Sequence, residues 1–382
     1  MVTDVAVIGG GIIGCSAAAM LAERGVRVTL FEATAIGAGA SGRNLGVLQH
    51  PFDPHLAGLY HDSLDRYRGL AADHPDFALP ATPAGLLLLE ADADAARAQA
   101  ARLQGTVPEL VPTFLDADAV ATAEPSLAPG FTACRLETGY PIPPASATAA
   151  WASRAERLGA KLRVGVAATP VVEGAVTRGV RLDDGERITA DAVLLAAGPW
   201  TPDIVGGDGT WRPIVRTWGV TVQVALGDAA PRHVVEQDEV DAVNRPARAA
   251  ERAAAVDRDV EPESLFSIAS AGGISTLGST FLPAEPDPAP LVDLLLRRGA
   301  AYLPALAGAP VVEVRRCARP QSVDGRPFIG RLPWADGLVV CAGHGPWGIS
   351  TGPGSAALAV EALLTGIDAP IPGALLAART IA

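Results

Sequence analysis

Six residues near the N-terminus, Gly9-Gly10-Gly11-Ile12-Ile13-Gly14, constrain this chain more than any other stretch. They follow the short apolar run Asp4 to Ile8 and open the helical stretch Ile12 to Arg24. Gly25 ends that helix and Val26 to Glu32 returns as a second strand, giving a βαβ unit in about 30 residues. Gly9 permits the tight turn, Gly11 lets backbone approach a pyrophosphate, and Gly14 lets the helix pack on the strand. The helix N-terminus, at Ile12 and Ile13, presents N–H groups to phosphates. Glu32, followed by Ala33, closes the second strand where an acid can accept hydrogen bonds from an adenosine ribose. Strand, glycine turn, helix and acid together make a dinucleotide site rather than a glycine turn without a ligand.

The full pattern, with a second strand closing on an acid, occurs once, so the chain is expected to hold one dinucleotide tightly. Three features favour FAD over NAD. The stretch Gly37 to Asn44, with Ala40, Ser41, Arg43 and Asn44, offers small residues and backbone donors beyond the pyrophosphate, and Gly46 and Val47 continue it. Ala192 to Trp200 is a buried strand ending in a small-residue turn at Ala197, Gly198 and Trp200. The C-terminal segment returns with Asp324-Gly325 and a glycine-rich run before a last helix at about Gly352 to Leu364. Val166, on the strand Lys161 to Ala167, belongs to the adenosine end.

At 382 residues the chain exceeds the usual size of one core, so two domains are expected. Helices are read at His55 to Ala72, Asp92 to Gln104 and Ser146 to Leu158, and a strand at Gly85 to Glu90. Val176 to Leu182 and Arg187 to Thr189 flank Asp184-Gly185 as a hairpin. Trp218 to Leu226 and Ser275 to Phe281 read as strands of a second, antiparallel sheet. Pro231 to Glu263 is charged and poorly periodic, a surface insertion in preference to a mobile lid. The expected architecture is α/β: a Rossmann-like FAD-binding domain of the glutathione-reductase type (1–80, 145–212 and 316–382), and a largely antiparallel substrate domain (81–144 and 213–315).

A formal charge of −12 argues against a nucleic-acid partner and against adsorption on an anionic membrane. Cys15, Cys134, Cys317 and Cys341 show neither metal-ligand spacing nor a disulfide framework, which favours a reduced, cytoplasmic setting and no metal. No basic n-region with a cleavable apolar stretch opens the chain, and no apolar run reaches the roughly 18 to 20 residues of a membrane span.

Taken in order, VIGGGIIG with Glu32, GASGRNLG, AVLLAAGPW, RPQSVDGRPFIG and GHGPWGI span nearly the whole chain. In this they resemble the FAD-dependent D-amino acid oxidase superfamily, especially its glycine oxidase and sarcosine oxidase branch. The resemblance implies hydride transfer from the carbon beside an amine to flavin N5, followed by hydrolysis of the imine. It implies that Arg319 clamps a substrate carboxylate, a task suited to the guanidinium fork, against the alternative of a surface ion pair. It implies that Gly343, His344, Gly345, Trp347, Gly348 and Ile349 wrap the flavin. His344 and Trp347 have the competing roles of a structural histidine and plain core packing. Cys317 has the spacing of the cysteine that carries covalent flavin in monomeric sarcosine oxidase. Its neighbours look more like the glycine oxidase pattern, so noncovalent FAD is expected. His50, beside Gln49, is a further candidate facing the substrate.

Two departures qualify the resemblance. Sarcosine oxidases use a lysine near flavin N5, and Lys161, the only lysine here, cannot match it, so the electron acceptor is either O2 or another species. The amino-acid oxidases use a tyrosine beside the arginine, whereas no tyrosine lies between Trp200 and Ala300; Trp211 and Trp218 are the tryptophans there. Such walls suit a secondary or cyclic amine, an imino acid such as proline, or a bulkier amino acid. Three other readings remain. A flavin-dependent 2-hydroxy-acid dehydrogenase would need His50 or His344 as base, a flavin subunit would act only within a multi-component dehydrogenase, and a nonflavin NAD dehydrogenase fits the C-terminal pattern poorly.

Overall fold

The computed structural model describes residues 2–205, 210–238 and 262–379. Strands β1 (Asp4–Ile8), β2 (Arg27–Glu32), β8 (Lys161–Val164), β12 (Ala192–Leu195), β18 (Phe328–Arg331) and β19 (Leu338–Ala342) form one sheet, ordered β18-β19-β12-β1-β2-β8. Every pairing in it is parallel except β18 with β19. Parallel strands covered on both faces must be apolar, and β12, β19 and β1 from Val5 onward are. On one face Val7, Leu194 and Val339 join the core beneath α1 (Ile12–Glu23), α6 (Pro144–Arg157) and α9 (Gly348–Thr365). On the other, Ala6, Val193 and Val340 meet the antiparallel strands β9 (Ala168–Glu173), β10 (Val176–Leu182) and β11 (Arg187–Thr189). Helix α1 packs between α6 and α9, so it is buried from Ile12 to Ala22, and its alanines allow the close approach.

The second sheet has the order β17-β13-β16-β15-β14-β4-β6-β5. Its strands are β4 (Leu86–Glu90), β5 (Thr113–Leu115), β6 (Thr132–Leu136), β13 (Ile214–Val224), β14 (Val234–Gln237), β15 (Ser264–Ala271), β16 (Ile274–Thr280) and β17 (Val311–Ser322). All pairs are antiparallel except β14 with β4. Strand alternation sends Val220, Val222, Val235, Ile268 and Leu277 to an outer core, closed by Leu291, Leu294 and Leu295 of α8 (Ala289–Ala300). The inner face, turned toward the first sheet, carries the small and polar residues Gly219, Thr221, Ser267, Gly278 and Glu236.

Between the sheets, β3 (Val47–Leu48) pairs with β7 (Tyr140–Pro141). The remaining helices are α2 (Ala40–Arg43), α3 (Pro54–Asp73), α4 (Ala93–Thr106), α5 (Ala117–Ala123) and α7 (Thr201–Ile204). Helix α3 begins at an Asp53 cap whose carboxylate accepts the His55 N–H at 2.8 Å.

The fold is the expected α/β architecture with differences of detail. A one-turn helix, α2, lies within the stretch Gly37 to Asn44. Within Pro231 to Glu263, residues 234–237 are an interior strand of the second sheet rather than insertion, because Val234 and Val235 are wholly buried between β15 and β4. Residues 239–261, on which the insertion or lid reading mainly falls, lie outside the described residues. Strand β17 runs unbroken through position 316, where a domain division was expected. Its Pro320 is tolerated because β17 is an edge strand. Among the described residues no helix is long and apolar enough to cross a membrane, and no group of side chains could hold a metal ion.

Candidate active site

A cleft of about 770 Å³ opens at the carboxyl ends of β1, β2 and β12 and is closed by β17 of the second sheet. Open parallel sheets place ligands at this edge. Gly9 has φ 111°, and a Cβ there would stand 2.4 Å from the Ala196 carbonyl oxygen. A Cβ on Gly14 would lie 1.9 Å from the Gly9 oxygen, so the first helical turn sits directly on the loop. The Ile12 N–H donates to Ser41 Oγ at 3.0 Å, tying the helix start to α2. Glu32 accepts from the Gly10 N–H at 2.7 Å and from the Thr34 N–H and hydroxyl at 2.8 and 2.9 Å. Those bonds fix the carboxylate in the cleft wall and leave lone pairs for ribose hydroxyls.

At the opposite end the wall is Ala197, Gly198, Trp200, Cys317, Gly343, His344, Gly345, Gly348 and Ile349. His344 is 2% exposed and neither ring nitrogen has a partner. Burial lowers its pKa to about 3, so the ring is neutral. Two unpartnered nitrogens in a buried wall mark a place for a polar ligand. With the glycine cradle and the acid at the far end, the residues present fit an extended dinucleotide ending beside His344.

The structure gathers most of the expected cofactor residues in this cleft: Gly9, Gly11, Ile12, Ile13, Glu32, Ala33, Ala40, Ser41, Arg43 and Asn44 line it with the residues just named. Five lie behind the lining. Gly14 supports the loop from below. The Gly46 N–H donates to Asn44 Oδ1 at 2.8 Å, and Val47 is buried in β3. The Val166 N–H donates to the Glu32 carbonyl at 2.9 Å, and Ala167 and Ala168 supply the wall instead. Trp347 stands edge-on to Phe52, with ring centroids 6.4 Å apart.

Several lining residues escaped the sequence reading, notably Phe31, Thr34, Arg216, Glu285 and Arg316, while Trp218 was placed only in the substrate domain. Arg216 and Trp218 are two apart on β13, so the alternation of that strand, followed back to Ile214, would have shown them together. Arg316 pairs with Glu285 at 2.9 Å, and Arg216 pairs with Asp203.

Arg319 stands apart from the cleft lining, on the inner face of the second sheet. Its guanidinium crosses β13 and ends on β16, donating to the Thr280 carbonyl at 3.1 Å and to Ser279 Oγ at 2.6 Å, above the Phe281 ring. Arg315 is also buried, donating to Thr276 Oγ1 at 3.1 Å. Cys317 lies between them with its thiol in the cleft wall. Burial raises the thiol pKa, and Arg319, Arg315 and Arg43 oppose that rise. His50 does not line the cleft. It is wholly buried, edge-on to Tyr60 with centroids 5.3 Å apart, and burial lowers its pKa to about 4. Its Nδ1 accepts the Phe52 N–H at 3.1 Å. Lys161 is exposed on the edge strand β8.

Residues 4–362 match the family model described as DAO, FAD-dependent oxidoreductase. Glycine oxidase from Pseudomonas putida is 30% identical, over 96% of this chain and 96% of that protein. Among solved structures, glycine oxidase from Bacillus cereus superimposes with a TM-score of 0.81 at 23% identity, covering 100% of this chain and 99% of that one. Iminodiacetate oxidase from Chelativorans sp. BNC1 gives a TM-score of 0.76 at 23% identity, covering 96% and 97%.

Proposed function

The chain belongs to the DAO family of FAD-dependent oxidoreductases, and from that premise we propose that it oxidises the C–N bond of a small amine or amino acid. Its substrates are a D-amino acid, a glycine-like, N-alkyl or cyclic imino acid. The observation that carries this reading is the fixed guanidinium of Arg319 on the sheet that faces the cleft. A fork held by Ser279 and Thr280 keeps N–H groups in a set direction for a carboxylate and orients the substrate's reacting carbon. FAD, held by the glycine loop, Glu32 and the wall at Gly343 to Ile349, would supply the two-electron acceptor. The α9 N-terminus, at Gly348 and Ile349, directs peptide N–H groups and the positive end of its dipole toward the cleft.

The 2-hydroxy-acid alternative needs a base for the hydroxyl proton. His344, with a pKa of about 3, accepts a proton poorly at neutral pH, and His50 is packed away from the cleft. An amine bound neutral needs no such base. FAD is proposed to be held noncovalently, since a buried thiol with a raised pKa makes little of the thiolate that attacks. The four cysteines are free, which supports a cytoplasmic setting.

The test is an anaerobic titration of the purified protein with amino acids, amines and 2-hydroxy acids, followed at the flavin band near about 450 nm. Bleaching by an amino acid or amine is expected; bleaching by 2-hydroxy acids alone would overturn the reading. Re-admitting air then separates O2 from another acceptor by the speed of colour recovery.

A further inference from the structure

Helix α9 carries a proline in its second turn. Pro353 has no N–H, so it cannot make the bond that its position ordinarily gives to the carbonyl four residues back, Ile349. That carbonyl is not left bare. The Tyr67 hydroxyl, from α3, donates to it at 2.9 Å. One residue beyond the proline, the Gly354 N–H donates to Ser63 Oγ, also on α3, at 2.8 Å. Ser63 and Tyr67 are four apart on one face of α3, and both are wholly buried. Burial pushes the Tyr67 phenol up, so it stays protonated and able to donate. Gly354 is what lets the two helices come this close: a Cβ there would stand 2.5 Å from the Leu59 carbonyl oxygen.

Gly348 and Ile349 belong to the cleft wall, beside His344 with its two unpartnered ring nitrogens. The Ile349 carbonyl and the Ser350 N–H are the two ends of one planar peptide unit. Holding that carbonyl toward α3 therefore sets the direction of the Ser350 N–H, one of the groups that open the helix with no intrahelical acceptor. Ser350 is pinned a second time through its side chain, Oγ accepting the Gln49 N–H at 3.0 Å. The first turn of α9 thus takes its orientation from hydroxyls of α3, in place of the bond that Pro353 withholds.

We propose that Tyr67, with Ser63, is a positioning residue for the flavin: the α3 hydroxyls aim the first turn of α9 at the cofactor's ring, where its N–H groups stabilise the negative charge gained on reduction. The inference rests on the reading of the cleft as an FAD site whose redox end lies at His344 and α9. The positive end of a helix favours an anion. It therefore stabilises the reduced ring more than the oxidised one, and a turn that tilts away gives up part of that difference.

The test is the midpoint potential of the bound flavin, measured by anaerobic, dye-coupled reduction of the FAD-loaded protein. Tyr67→Phe removes the hydroxyl and keeps the ring. Its reduced-to-oxidised equilibrium is expected to fall about threefold to tenfold, the worth of one neutral hydrogen bond. For two electrons that is a shift of about 15 to 30 mV to lower potential. Pro353→Ala returns an N–H to position 353, and in that background Tyr67→Phe is expected to leave the potential where it was. An unmoved potential in the single variant, or an equal shift in both backgrounds, overturns the proposal. A hydroxyl that merely joined two helices would lower the melting temperature and the flavin occupancy without moving the potential. If Tyr67→Phe does not fold, Ser63→Ala takes its place with the same expected direction, and an unmoved potential there overturns the proposal. Wild type that takes up no FAD is the separate failure of the cofactor reading, and carries the proposal with it.

Discussion

Arg319 lies flat over Gly219: a Cβ added at position 219 would stand 2.5 Å from the Arg319 Nη1. The two residues are on adjacent strands, β17 and β13, and the missing side chain is what lets the guanidinium cross to Ser279 on β16. Because the atom in the way is the far end of a flexible side chain, Gly219→Ala should leave the fold and flavin content intact and displace only the guanidinium. A rise in KM for a carboxylate substrate of about tenfold is expected, and of tenfold to hundredfold for Arg319→Ala. Steady-state kinetics on carboxylate and non-carboxylate amines would check this; equal effects on both would remove the clamp.

At Gly14 the obstacle is backbone, the Gly9 carbonyl oxygen. Gly14→Ala must push the helix off the loop, and the purified variant is expected to have lost its flavin absorbance. Full flavin occupancy in this variant would show that the loop does not hold the pyrophosphate.

Acid precipitation should leave the yellow colour in the supernatant. Cys317→Ser should bind flavin as wild type does, because the Cys317 thiol is part of the cleft wall and, protonated, serves as packing. Colour that stays with the wild-type pellet and leaves the pellet in the serine variant would establish a thioether.

His344 and His50 both have folded-state pKa values lowered by burial, to about 3 and about 4 from an ordinary 6.5. Unfolding lets each ring take a proton at any pH between its folded and ordinary values, so acid favours the unfolded chain there. Stability is expected to be flat above about pH 6.5 and to fall as pH drops toward about 4. Thermal melts of the flavin-free protein across that window, with His344→Gln as the control, read the contribution. A His344→Gln protein with the same acid slope would assign the slope elsewhere.

What the sequence made legible was local. The glycine loop and Glu32 belong to one βαβ unit and Ser41 follows it closely, so their placing is set by backbone geometry close by in the chain. The inner face of the second sheet was not legible, because it depends on pairing between distant strands. Glu236 is placed on that face only once β14 is known to lie between β15 and β4. Ser264–Ala271 gives little warning, since its serines and alanines mimic a loop. The placing of His50 behind the cleft was not legible for a related reason: Tyr60 and His61, from α3, and Phe52 enclose it, and nothing in the run Gln49 to Asp53 announces that. Val166 missed the lining by one residue because its N–H is committed to the Glu32 carbonyl.

The walls of the cleft come from widely separated stretches of chain, from Gly9 to Asn44 at one extreme to Cys317 to Ile349 at the other. A ribosome delivers them in that order, with on the order of half a minute between the phosphate loop and the last wall. For all that time the nascent N-terminus displays its loop with nothing to close over a dinucleotide. Cofactor retention thus needs all of these stretches together, and emergence of the Cys317 to Ile349 wall from the exit tunnel sets the earliest moment at which FAD can be enclosed.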